Sequence, residues 1–242
     1  MTTDLDRRTA VSLPEVCPVA LVTGASGAIG AAVTAMFAGN GHRVLAVGRD
    51  AERLAAATSG DTVMPVLADL REEAGRAGVL RCLREAGRLD TMVLGSGLYR
   101  RSDDPGVFDA QLQANVTAPY ALLRACLPAL IAARGQIIFI NSTQGLSAGA
   151  GVGQYAATQH ALRAIADSLR DEVNGQDVRV ASIYLGRTAT ARQEDIFALE
   201  GRPYTPERLI QPRDVADLIA CIARLPRTAE VTNLTVRPML KS

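Results

Sequence analysis

The chain has no tryptophan, two histidines and a single lysine, Lys241, so arginine carries nearly all of its positive charge. Chemistry that needs a lysine ammonium therefore has almost nowhere to find one. Cys17, Cys82, Cys126 and Cys221 are scattered without a CxxC pair, and His42 and His160 add no ligand-spaced cluster. Reduced thiols and no metal site are expected. The formal net charge of +1 provides no field to steer nucleic acid or an anionic membrane, so neither is expected as a partner. Long uninterrupted apolar runs are also missing: Ala118 to Ala133 is broken by Arg124 and Pro128, and the polar lead 1–17 lacks the apolar run of a signal peptide. A cytoplasmic protein is the expectation.

The 242 residues, 48% hydrophobic and 21% charged, suit one sizeable core, and one domain is expected over 18–242. Short runs rich in Val, Ile and Leu alternate with helical stretches. Strands are read at Val19–Thr23, Arg43–Val47, Thr62–Leu67, Thr91–Leu94, Gln136–Asn141, Val178–Tyr184 and Val231–Val236. Helices are read at Ala28–Ala38, Ala51–Ala57, Glu72–Ala86, Gly106–Ala133, Tyr155–Val173 and Pro212–Arg224. This alternation predicts an α/β fold with a Rossmann-type, doubly wound parallel sheet of about seven strands flanked by helices. The least regular stretch, 186–212, follows a strand end, where open α/β sheets place ligands, and reads as a substrate lid. It offers Arg187, Arg192, Phe197, Tyr204 and Arg208.

The segment from Val19 through Gly24, Ser26, Gly27 and Ile29 to Gly30 is an apolar strand feeding a glycine turn and then a helix. Glycines let the backbone approach a pyrophosphate, whose charge is met by free amides at the helix N-terminus. A nicotinamide dinucleotide is the expected ligand. At the end of the second strand, where NAD-binding folds place an acidic residue for the ribose 2′-hydroxyl, the chain reads Val47-Gly48-Arg49. An arginine there suits a 2′-phosphate, so NADP(H) is expected; the plain alternative is a solvated charge paired with Asp50 or Glu52. Asp69, beside Leu70, is placed to reach the adenine or else to cap a helix starting near Arg71.

Four landmarks carry a resemblance to the short-chain dehydrogenase/reductase family: Thr23–Gly30, Asn115 within a long helix, Ser142 with Gly145, and Tyr155-Ala-Ala-Thr-Gln159, thirteen residues beyond Ser142. The resemblance implies hydride transfer between a nicotinamide and a carbonyl or alcohol. Ser142 would hold the substrate oxygen and Tyr155 would protonate it during reduction, with Asn115 and Gln159 completing the set. The cofactor set would be Gly24, Ser26, Gly27, Ile29, Gly30, Arg49, Asp69, Leu70, Ser96, Gly97, Tyr155, Gln159, Gly186, Thr188 and Thr190. The substrate would be a small or medium ketone or aldehyde. A homodimer or homotetramer paired through the helices at Gly106–Ala133 and Tyr155–Val173 is also implied.

The family places a lysine where this chain has Gln159, the YxxxQ departure. An amide can bond ribose hydroxyls but cannot stabilise a tyrosinate. Reduction, which starts from neutral tyrosine, should suffer less than oxidation. Neither Arg163 nor His160 is a convincing replacement. Ala28 stands where the family has glycine, Leu94-Gly95-Ser96-Gly97 replaces an Asn-Asn-Ala-Gly stretch, and Leu185-Gly186 replaces Pro-Gly. Two other readings stay open: a non-redox enzyme of elimination, isomerisation or cyclisation on the same scaffold, and a dinucleotide-binding regulatory protein without turnover.

Overall fold

The computed structural model describes residues 17–58 and 60–240, so most of the polar lead and Lys241 lie outside the described residues. Seven strands form one sheet: β1 Val19–Thr23, β2 Arg43–Gly48, β3 Val63–Leu67, β4 Thr91–Leu94, β5 Gln136–Ser142, β6 Arg179–Leu185 and β7 Asn233–Val236. Every pairing is parallel, in the order β3-β2-β1-β4-β5-β6-β7. β1, β4 and most of β5 and β6 are buried, which explains why they read as near-continuous apolar runs.

The helices are α1 Ala28–Gly39, α2 Ala51–Ala57, α3 Glu73–Ala86, α4 Pro105–Leu112, α5 Ala118–Ala132, α6 Gly153–Val173, α7 Ala191–Leu199 and α8 Pro212–Arg224. They cover both faces. Val79 and Leu83 of α3, Leu122 and Leu130 of α5, and Leu162 and Leu169 of α6 pack with Leu21, Met92 and Ile137. Val33 and Phe37 of α1 and Val215 and Ile219 of α8 pack on the other face with Val22, Val93 and Ile183. Strand order reverses between β1 and β4, and the crevice beyond their C-terminal ends is where such sheets bind ligands.

The helix read at Gly106–Ala133 begins at Pro105 and carries a π turn at Gln113–Thr117, where the Ala118 amide donates to Gln113 O. Pro119 has no N–H for the carbonyl of Asn115, and the ladder loosens there. The Pro105–Ala132 stretch is long and apolar enough to span a membrane by composition, yet Leu122, Leu123, Cys126 and Leu130 lie in the core under the sheet.

The stretch 186–212 is more regular than its sequence suggests, since it contains α7. Thr190 Oγ1 accepts from the Gln193 amide at 3.2 Å, the Thr-x-x-Gln pattern of a helix start. Its base is pinned where Thr188 bridges Ile210 and the Ala189 amide donates to Ile210 O at 2.8 Å.

Candidate active site

The turn between β1 and α1 is built by contact rather than by flexibility. Gly24 has φ +76°, and a Cβ on it would lie 2.7 Å from Gly95 O; a Cβ on Gly30 would lie 2.1 Å from Gly24 O. No side chain at either position fits. Thr23 Oγ1 accepts from the amides of Gly95 and Ser96 at 3.0 and 3.2 Å, locking the turn to the segment after β4. α1 begins without a side-chain cap or an acidic residue in its first turn, which leaves its first amides available to an anion. Ala28 is exposed at that opening.

At the end of β2, Gly48 supports Ser26: a Cβ at Gly48 would meet Ser26 Oγ at 3.0 Å. Arg49 is exposed beside them, with Nη1 4.0 Å from Asp69 Oδ2. Asp69 accepts from the Arg71 amide and pairs with its guanidinium at 2.6 Å. Chiefly through these hydrogen bonds, Arg71 holds the Asp69 carboxyl down at about 2. Because α3 starts at Glu73 with Glu72 in the cap position, Asp69 does not cap it. Leu70 is buried in the core beneath this rim.

A cavity of about 250 Å³ opens at the C-terminal ends of β4, β5 and β6. Ile29, Ser96, Gly97, Ser142, Tyr155, Gln159, Gly186, Thr188 and Thr190 all line it. Gly24, Ser26, Gly27, Gly30, Arg49, Asp69 and Leu70 lie outside this cavity, around the turn and the β2–β3 rim. The last residues of β5 are tied to α6: Asn141 Nδ2 donates to Gln159 O at 3.1 Å, and Asn141 Oδ1 accepts from the Ser142 amide at 2.7 Å. Gly145 makes this approach possible, because a Cβ there would lie 2.8 Å from Asn141 Oδ1 and 2.9 Å from Gln159 O. Burial pushes the Tyr155 phenol above its usual value, while Arg192 and Ser142 pull it down and Tyr99 adds to the rise. The Tyr99 ring meets Tyr155 edge-on at 5.0 Å.

Asn115 does not line the cavity. It is 1% exposed, in the π turn, where Oδ1 accepts from the Leu98 amide at 2.6 Å and Nδ2 donates to Leu98 O and Thr158 Oγ1. Gln159, 4% exposed, donates from Nε2 to the same Thr158 oxygen at 3.2 Å. The Thr158 hydroxyl in turn donates to Tyr155 O at 2.7 Å. Two amides thus share one hydroxyl behind Tyr155, with no charge among them.

Sequence reading placed Arg187 and Arg192 in the lid stretch but missed the helix there and the contributions of Gln193, Ile196 and Glu200 to the opposite wall. α7 presents Arg192, Gln193 and Ile196 to the cavity, and Arg192 Nη2 donates to Gly97 O at 2.6 Å, across 95 positions. Arg187 pairs with Glu200 at 2.8 Å and lies over the Phe197 ring, 4.7 Å from its centroid. Glu200 also meets Arg202 at 3.5 Å. The one early signal was Thr190-Ala-Arg-Gln193, a helix start that also turns Arg192 inward.

The model of the short chain dehydrogenase family matches residues 18–201. A short-chain type dehydrogenase/reductase of Sinorhizobium fredii is 33% identical over 233 residues, 91% of each chain. An NADP-dependent 3-hydroxy acid dehydrogenase of Salmonella typhi is 28% identical over 240 residues, covering 93% of this chain and 96% of that one. Among solved structures, the closed form of serine dehydrogenase complexed with NADP+ superposes with TM-score 0.84 at 28% identity, over 93% of this chain and 96% of that one. A metagenomic short-chain oxidoreductase in complex with NADP gives 0.78 at 31% identity, over 93% and 98%. With its seven-stranded parallel sheet and glycine turn, the chain belongs to the short-chain dehydrogenase family of oxidoreductases.

Proposed function

We propose that this protein is an NADP(H)-dependent reductase of ketones or aldehydes, in which Tyr155 donates the proton and Ser142 positions the carbonyl oxygen. The observation that carries the reading is that Ser142, Tyr155 and Gln159 share one cavity with Ser96, Gly97, Gly186, Thr188 and Thr190, next to a turn in which no Cβ fits at Gly24 or Gly30.

The residues fit a phosphorylated dinucleotide. Gly24, Ser26, Gly27, Ile29 and Gly30 form a cradle with open amides, and Arg49 at the end of β2 supplies a cation for a 2′-phosphate. Asp69 and Leu70 would flank the adenine; Ser96, Gly97, Gly186, Thr188, Thr190 and Gln159 would hold the nicotinamide half. NADP-dependent relatives support the same choice. When bound, the cofactor supplies the hydride. Tyr155 supplies the proton to the substrate oxygen, and its raised pKa keeps it in the donor form at neutral pH. Asn115 holds the backbone of Leu98 and the hydroxyl of Thr158 behind the site rather than touching substrate. The segment 186–212, with α7 over the cavity, acts as the lid of a single domain over 18–242. Gln159 stands for the family's lysine as a neutral group, so reduction is favoured over oxidation.

The test is NADPH consumption over a carbonyl panel, compared with Tyr155→Phe. A loss of at least about 100-fold in turnover supports Tyr155 as the acid, and equal turnover refutes it. Product formation without any change in cofactor absorbance would instead favour a non-redox enzyme, for which the uncharged Gln159 is the specific argument. We also infer a homodimer or homotetramer through α5 and α6, whose outer surfaces expose Tyr120, Ala157 and Ala164. Light scattering behind size exclusion would detect it, and a monomer would reject it.

A further inference from the structure

The polar side chains behind Tyr155, Thr158 and Gln159 of α6 with Asn115 of the π turn, are neutral and hydrogen-bonded to one another through the Thr158 hydroxyl. A tyrosinate forming at Tyr155 therefore finds no cation on its own helix within this network. The charges lining its cavity come from the other wall: Arg187, Glu200 and Arg192. Arg187 pairs with Glu200, a carboxylate it shares with Arg202, and of the cavity's arginines it is Arg192 whose charge acts on Tyr155. Arg192 has no carboxylate within ion-pair distance among the described residues, and its one hydrogen bond there goes to the neutral carbonyl of Gly97. Its net charge is thus uncancelled at the mouth of the site. The other groups facing Tyr155 are the Ser142 hydroxyl from β5 and the Tyr99 phenol from the segment after β4.

We infer that Arg192 is a positioning residue that supplies, from α7 and across the cavity, the positive charge that α6 lacks beside Tyr155. Held at 2.6 Å on Gly97 O, the guanidinium is fixed at a defined place on the cavity wall, and being permanently charged it does so across the working pH range. The Tyr155 phenol is pulled down by this charge against the effect of burial. The arrangement makes the site's electrostatics depend on the lid, since displacing α7 removes the cation together with the cover. The inference rests on Tyr155 as the reacting acid only for its consequence in turnover; the charge assignment itself is independent of that reading.

The direct test follows tyrosinate formation in the protein without cofactor, by ultraviolet difference absorbance against pH, with Tyr155→Phe identifying the Tyr155 contribution. Replacing Arg192 by Gln should raise the Tyr155 midpoint by at least about half a pH unit, and Arg192→Lys should keep it near the original value. The sign is diagnostic. If Arg192 only anchored the lid, its loss would admit water, relieve desolvation and lower the midpoint. A lowered or unchanged midpoint in a folded Arg192→Gln protein, checked by circular dichroism, overturns the inference. As a second arm, Gln159→Lys added to Arg192→Gln should bring the midpoint back down, and failure to do so while the lysine is charged also counts against it. Should the midpoint move as expected in a protein that never consumes NADPH, the charge assignment stands and the reductase reading falls.

Discussion

The side-chain amide of Asn141 donates to the main-chain carbonyl of Gln159 at 3.1 Å, joining the end of β5 to the first turns of α6. Ser142 follows the first residue and Tyr155 precedes the second by one helical turn, so this bond fixes the separation of the two groups on which the proposed chemistry depends. Replacing Asn141 by Ala removes this tie and leaves the Ser142 amide without its side-chain acceptor, while the Gln159 carbonyl keeps its place in the α6 ladder. A cost of about 1–3 kcal/mol is expected, seen as a melting temperature lower by roughly 2–4 °C per kcal/mol. Turnover should fall further than the folded fraction does, and a variant with unchanged activity would show that the bond does not position Ser142.

Gly30 faces Gly24 O at a distance no side chain tolerates. The Gly30→Ala protein should lose at least about tenfold in NADPH affinity, measured by fluorescence titration, and should also melt earlier. Affinity equal to that of the unmodified protein would mean that the dinucleotide does not use this turn.

Arg49 is exposed, and its nearest acidic oxygen is at 4.0 Å on Asp69. It is available to a phosphate. Arg49→Ala is expected to weaken NADPH by about tenfold, close to 1.4 kcal/mol, while NADH affinity stays constant. Parallel changes for both cofactors would assign Arg49 to the fold rather than to the 2′-phosphate.

The direction of the reaction should follow the protonation of Tyr155. Neutral tyrosine is the donor in reduction, and burial raises its pKa, so the donor form persists to higher pH than for a free phenol. Initial rates of carbonyl reduction are expected to be flat through neutrality with a fall only well into the alkaline range. Alcohol oxidation needs the anion and should climb with pH over the same interval, by up to about tenfold per unit. A reductive rate that declines near neutral pH would exclude Tyr155 as its proton source.

Much of the fold was legible in the sequence because a parallel sheet covered on both faces demands apolar runs on every central strand. All seven strands fall within one or two residues of where hydrophobic runs place them. The exception among the helices is α7, whose apolar residues are mostly one contiguous run, Ile196–Leu199, rather than a helically spaced face, and whose start, Thr190, also reads as a ligand contact. The site was legible where a residue's role comes from its own chemistry or from backbone conformation, as at Gly24, Gly30, Ser142 and Tyr155. It was not legible where partners are far apart in the chain.

The sequence by itself determined the layered α/β architecture, the glycine turn and the absence of a lysine beside Tyr155. Each is a local property: a periodicity, a backbone conformation that favours glycine, a residue identity. Only the tertiary structure decided that Asn115 is engaged with Leu98 and Thr158, that Asp69 is committed to Arg71, and that Arg192 crosses to Gly97. Those outcomes depend on which long side chain finds an unsatisfied group across the crevice between β4, β5 and α7. Sequence spacing carries no record of that distance.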